Sequence, residues 1–188
     1  MEVNLKETNS ATLVGTVIVR SHPAGTIDRY NEFKAAGRIE EAQALIHGGK
    51  VEVLDHNLIV DSSNFGFDLL RQYLASAYYG TLTFPLGIAW GEIGTGSTTP
   101  ASSDTALTTP TNRATISYAA NSGTVITQFF FPDSVLSNTT YNEFGTFIGG
   151  TSSIGTGQMF NHALFSSPYS KSAGVDTTCE VDFSFANS

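Results

Sequence analysis

The chain has 188 residues, with 9 Lys and Arg against 17 Asp and Glu, a formal charge of −8. Charged residues make up only 14%, against about 25% in an average globular domain, and Gly, Ser, Thr and Phe fill the deficit. This composition favours strands with long polar turns and excludes a coiled coil, a disordered acidic tail and a nucleic-acid binder working through phosphate contacts.

Leu13–Arg20 (LVGTVIVR) is rich in β-branched residues and bounded by His22-Pro23-Ala24-Gly25, so it reads as a first strand behind an N-terminal arm over residues 1–12. Thr26–Tyr30 could return as its hairpin partner. From Asn31 to His47 the period changes: Ala35, Ile39, Ala42 and Ile46 follow 4, 3, 4 spacing, which predicts one amphipathic surface helix stopped by Gly48-Gly49. Residues 31–50 thus form a helical insertion that returns to strand at Lys50–Leu54. After Asn57-Leu58-Ile59-Val60 a second helix is expected, capped by Ser62, Ser63 or Asn64, with Phe65, Leu69, Leu70, Tyr73, Leu74 and Ala77 on its apolar face and Gly80 at its end. Leu86–Trp90 reads as a short strand, and Gly91–Asn112 as a long Gly/Ser/Thr/Pro loop of a length that calls for a role.

From Arg113 onward the pattern is consecutive strands: Arg113–Tyr118, Thr124–Phe131, Tyr141–Ile148, Gln158–Phe165 and Thr177–Ala186. Turn signals separate them at Asn121-Ser122-Gly123, Pro132-Asp133, Gly149-Gly150 and Ala173-Gly174. The last strand alternates most cleanly, Cys179, Val181, Phe183 and Phe185 on a buried face and Glu180, Asp182 and Ser184 on a wet one. The expectation is a single mainly β domain over 1–188, an antiparallel β-sandwich or barrel with one or two short helices.

Chemistry is sparse. Cys179 is the only cysteine, so an intramolecular disulfide and a Cys-based metal site are excluded and a small buried hydrophobe is expected. His22, His47, His56 and His162 show no metal-ligand spacing; His162 reads as a satisfied strand histidine, and His56 beside Asp55 and Asp61 as a turn. No Gly-x-Ser-x-Gly elbow is present, and Gly91-x-x-Gly94-x-Gly96 lacks the Gly-Lys-Ser/Thr ending of a phosphate loop. A glycosidase pair would have to come from Asp104, Asp133, Glu143 and Asp176, none of which stands out. No catalytic residue, cofactor or metal is expected. MEVNLKETNS lacks the basic and apolar regions of a signal peptide, and no apolar run approaches the ~20 residues of a membrane span.

Charge is unevenly spread. Seven of the nine basic residues lie at or before Arg71, and between Arg113 and Lys171 only Asp133 and Glu143 are charged. That span carries Phe129, Phe130, Phe131, Phe144, Phe147, Phe160 and Phe165, so either much of it is core or neighbouring subunits cover part of it.

The order Asn57-Leu58-Ile59-Val60, the apolar segment around Leu69, Leu70, Tyr73 and Leu74, Ile88-Ala89-Trp90-Gly91, Gly94-Thr95-Gly96-Ser97-Thr98-Thr99-Pro100-Ala101, Asp104-Thr105-Ala106-Leu107 and then Arg113 resembles a family of small virion proteins of tailed bacteriophages. Tyr141–Phe147, Met159–Phe165 and Thr178–Phe185 resemble its later strands, and Leu13–Arg20 its first. The likeness spans roughly residues 13 to 188. Asn161-His162 departs from the pattern, standing where many members have Ala-Arg. The resemblance implies a non-enzymatic structural subunit of a virion, made in the host cytoplasm, most readily a tail, baseplate or neck component packing in a symmetric oligomer. It implies as partners other copies of the chain and other virion proteins, and neither nucleic acid nor membrane. A capsid decoration protein is an alternative. So is a tail-fibre module binding a host surface glycan through Tyr78, Tyr79, Trp90 or Tyr118. The candidate inter-subunit contact is the loop carrying Gly94, Thr95, Gly96, Thr98, Thr99, Pro100, Asp104 and Leu107. The competing reading is that this loop closes the end of its own domain.

Overall fold

The computed structural model describes residues 11–59, 87–121 and 123–187. Among them are eight strands and two helices: β1 (Ala11–Pro23), α1 (Thr26–Ala35), α2 (Ile39–His47), β2 (Lys50–Ile59), β3 (Ile88–Gly94), β4 (Pro110–Asn121), β5 (Val125–Phe131), β6 (Thr140–Ile148), β7 (Gln158–Ser170) and β8 (Val175–Asn187). The expected second helix (62–80), the start of the Leu86 strand and most of the N-terminal arm lie outside the described residues.

All neighbouring strands are antiparallel, in the order β1-β2-β7-β6-β3-β4-β5-β8, and β8 closes on β1 from Ala11↔Asn187 to Pro23↔Val175. Two strands turn the corners. β2 pairs with β1 up to Asn57 and with β7 at Leu58 and Ile59, while β4 pairs with β3 up to Thr115 and with β5 from Ile116. The result is a barrel with sandwich-like character, the fold class expected from alternation and turn spacing.

The interior follows from the register. Val19, Cys179 and Phe129 lie side by side on β1, β8 and β5, as do Val17, Val181 and Thr127. With Val53, Ile93, Phe131, Phe144, Phe165 and Phe183 they form the core. Gly91 leaves room for rings there: a Cβ would stand 2.6 Å from Phe129 Cγ and 2.7 Å from Phe144 Cζ. Of the seven phenylalanines in the poorly charged span, all but Phe160 are buried, and Phe160 packs edge-on to Phe183 at 5.2 Å. The phenylalanines of that span therefore chiefly fill the protein's own interior.

Several sequence expectations need correction. Thr26–Tyr30 is not a strand but the first half of α1. Both edges of β1 are already taken by β2 and β8, and Gly25 (φ 84°) turns the chain into a helix whose first turn carries Asp28. The single helix over 31–47 is two, broken at Gly37 (φ 74°), where the Arg38 N–H caps Phe33 O. Only Ala42 and Ile46 of the expected stripe are buried; Ala35 and Ile39 are exposed. The loop predicted over 91–112 shrinks to 95–109, because β3 runs on to Gly94 and β4 starts at Pro110.

The outward row of β8 is wet only in part: Asp182 and Ser184 are half-buried and Glu180 is buried. Glu180 is buried because the α1–α2 hairpin lies over the outside of β1, β8 and β5. Ile27, Tyr30, Ala42 and Ile46 pack on Phe130, with the Tyr30 and Phe130 rings edge to face at 4.6 Å. Beside this patch runs a polar layer: Arg20 Nη1 donates to Glu180 Oε1 (2.9 Å), Gln128 Nε2 to Glu180 Oε2 (2.6 Å) and to Gln43 Oε1 (3.1 Å). Cys179, Val181 and Phe183 face inward as expected; the Phe185 side chain falls outside the described residues.

Candidate functional site

The opposite side of the barrel, over β3, β4, β6 and β7, is wrapped by loops. Alternation turns Phe144 into the core and Glu143 outward, so the carboxylate emerges beneath loop 95–109. There it accepts four hydrogen bonds: from Gly96 N (3.0 Å) and Thr109 N (2.7 Å) on Oε1, and from Thr108 N (3.0 Å) and His162 Nε2 (3.1 Å) on Oε2. Both ends of the loop are thus fastened to one buried carboxylate. Gly94 and Gly96 are required by this approach, because a Cβ at either would collide with Glu143 Oε1.

His162 sits in β7, 1% exposed, with Nε2 on Glu143 and Nδ1 2.8 Å from Asp104 Oδ2. Carboxylates only accept, so satisfying both contacts requires both ring nitrogens to carry protons. Burial opposes the charged ring, but the hydrogen bonds to Glu143 and Asp104 outweigh it and hold its pKa above 6.5. Burial likewise disfavours the Glu143 carboxylate, and the bonds from His162, Thr109 and Thr108 overcome it to set its pKa below the usual value. Asp104 also closes a local turn by accepting from Ala101 N at 2.8 Å.

The candidate contact residues therefore divide. Gly94, Gly96, Asp104 and Leu107 anchor the loop to its own barrel, Leu107 by packing on Phe147 and Met159. Thr95 ties the strands together, its N–H on Thr109 O (3.0 Å) and its carbonyl taking Asn142 Nδ2 (2.7 Å). Thr98 and Thr99 are exposed with Ser97, Ala101, Ser102 and Ser103, and Pro100 is half-buried, so the tip is an uncharged, hydroxyl-rich surface. The structure thus supports closure of its own domain at the loop's base and leaves the tip open to a neighbour.

A second clasp stands beside the first. Arg113 (β4) and Glu92 (β3) pair directly across the strands, and both side chains are buried. The guanidinium lies 5.0 Å from the ring centres of Trp90 and Phe147 and donates to Thr156 O (2.7 Å), while Glu92 Oε1 also accepts from Gly155 N (2.8 Å). Loop 149–157 is fastened this way.

The remaining polar candidates are likewise engaged in holding segments together. Lys171 Nζ donates to Asp133 Oδ1 (2.6 Å), and Asp176 accepts from Ile27 N (3.0 Å) and Asp133 N (2.9 Å). Of the four carboxylates weighed for glycoside hydrolysis, only Glu143 and Asp104 share a partner, with the imidazole between them. Asp55 takes Ser166 N at 2.7 Å, while His56 is exposed and Asp61 lies outside the described residues. His22 is buried against Thr178 Oγ1 (3.0 Å), with its pKa lowered by burial and by Arg20. Of the aromatics weighed for glycans, Trp90 is packed on Arg113, Tyr118 is half-buried, and Tyr78 and Tyr79 lie outside the described residues.

Among the described residues no group of three His, Cys, Asp or Glu side chains could hold a metal ion, and no helix is long and apolar enough to cross a membrane. The clasped loops were legible only in part. Gly-x-Gly before a Thr-rich run hints at a close approach, but its cause, Glu143, is 47 residues beyond Gly96. No known family model, curated protein or solved structure matches the chain.

Proposed function

We propose that the protein is a non-enzymatic structural subunit of a tailed bacteriophage particle, a tail, baseplate or neck component that packs in a symmetric oligomer through the tip of loop 95–109. The observation that carries this reading is the tethered, neutral tip. Glu143 holds the base of the loop at Gly96, Thr108 and Thr109, so the exposed segment 97–103 is presented from a fixed frame. A preorganised loop loses little conformational freedom on docking. Hydroxyls, unlike ionised groups, can be buried at a contact with modest desolvation cost. The resemblance of residues 57–60 and 88–107 to the phage virion family points the same way. The buried phenylalanines do not add to it, because they fill the barrel's own core. Copy number in purified particles of the phage encoding the chain tests the proposal: quantitative mass spectrometry should find a fixed multiple per particle. Particles without the protein would refute it.

A further inference from the structure

We propose that His162 is a protonation latch that sets how firmly loop 95–109 is held, and so regulates presentation of the contact tip. The consequence for assembly rests on the proposed function; the latch itself rests on the geometry of three side chains from three parts of the chain. His162 comes from β7, Glu143 from β6 and Asp104 from the loop, and the ring bridges the two carboxylates at 3.1 and 2.8 Å. Its cross-strand neighbours are Gly145 on β6 and Leu58 on β2, neither of which titrates, so Glu143 and Asp104 are the charged groups facing the ring among the described residues.

The protonated ring donates to both sides. Once it loses a proton, one nitrogen becomes an acceptor facing a carboxylate, and lone pairs oppose each other there. Asp104 then loses either its partner or its position. The half-exposed Asp104 can swing into water, whereas Glu143 has three backbone N–H groups to keep it in place. The loop's connection through Asp104 is therefore the one released, while the attachment through Glu143 weakens.

The sign follows from the shifts. The His162 pKa is raised in the folded state, so its contribution is complete below 6.5 and disappears as pH rises through the folded value. The Glu143 pKa is lowered, so its contribution is present above 4.5 and is lost as pH falls through the folded value. The loop is held most firmly between the two folded values, and alkaline conditions loosen it.

Two measurements on the purified full chain test the latch: ring-proton NMR titration of His162, and hydrogen exchange of the Gly96, Thr108 and Thr109 amides corrected for intrinsic rates. The His162 midpoint should lie above 6.5, and corrected exchange of the three amides should rise on the order of tenfold across it. His162→Gln should remove that step. Should this variant fail to fold, Asp104→Asn keeps the ring and its Glu143 contact and should move the His162 midpoint downward. A midpoint at or below 6.5, no step in exchange, a step that persists in His162→Gln, or an unmoved midpoint in Asp104→Asn would each overturn the latch. Particle copy number is independent of these readings, so the latch and the structural role can fail separately.

Discussion

The buried Glu92–Arg113 pair makes a quantitative prediction. Both side chains are within 1% of full burial, and the guanidinium is enclosed by Trp90 and Phe147. Glu92→Leu would leave that cation in an apolar slot with Thr156 O as its remaining partner, and Arg113→Leu would leave the carboxylate with Gly155 N. Removing one member of such a pair costs about 3–5 kcal/mol, a large share of the ~5–15 kcal/mol that holds a domain of this kind together. Removing both is different. The pair is imperfectly satisfied, since Glu92 Oε2 and Arg113 Nε have no partner among the described residues, so the double variant loses less than a fully bonded pair would. The double Leu variant should therefore be more stable than either single one, with a coupling of at least ~3 kcal/mol in a double-mutant cycle. Guanidinium unfolding followed by tryptophan fluorescence is the assay, and equal slopes would show that the comparison is of like with like. Single variants that each cost under ~1 kcal/mol, or a double variant whose loss is their sum, would refute the reasoning.

Phe183→Ala should cost about 3–5 kcal/mol, since the ring lies inward between Gly15 and Val125 and against Phe160; a loss near zero in the same unfolding assay would contradict the register. Cys179 should resist thiol reagents in the native protein and react only after denaturation, because complete burial pushes the thiol pKa up; rapid native labelling would contradict this. Asp182 is pushed up to about 6, chiefly by burial and then by Glu180. Its folded pKa exceeds its unfolded 3.8, so folding favours the protonated form and the wild type loses stability as pH climbs from about 4 to above 6. Asp182→Asn should match the wild type at pH 4 and exceed it at pH 7; no widening difference in unfolding midpoints over that window would rule this out.

Sequence pattern reached the strands because alternation is local. Cys179, Val181 and Phe183 announce an inward row without knowledge of their partners, and the turns at Gly149-Gly150 and Ala173-Gly174 stand where the chain reverses. It missed what depends on distant elements. Glu180 looks wet in its own strand and is buried by Gln43, 137 residues earlier, through Gln128. Thr26–Tyr30 looks as much like a returning strand as a helix until β2 and β8 are seen to occupy both edges of β1. Glu143 and His162 each read as isolated polar residues, and the 3.1 Å contact between them arises only from the pairing of β6 with β7.

Strand pairing also bears on which parts of the barrel other molecules can reach. Every strand has two neighbours among the described residues, and β1 is paired with β8 along its whole length, while β2 meets β7 only at Leu58 and Ile59. Strand addition at the seam between β1 and β8 is thereby blocked. The α1–α2 hairpin spends its apolar face on Phe130, and the base of loop 95–109 spends Leu107 on Phe147 and Met159. The exposed surface includes the neutral tip at 97–103 and apolar side chains on β2, where Leu54 is 65% and Val51 50% exposed. The tip is set by Glu143 and its neighbours, whereas Leu54 and Val51 are set by β2 itself. On the proposed function, a change at His162 should therefore alter contacts made by the tip and leave the β2 surface as it is.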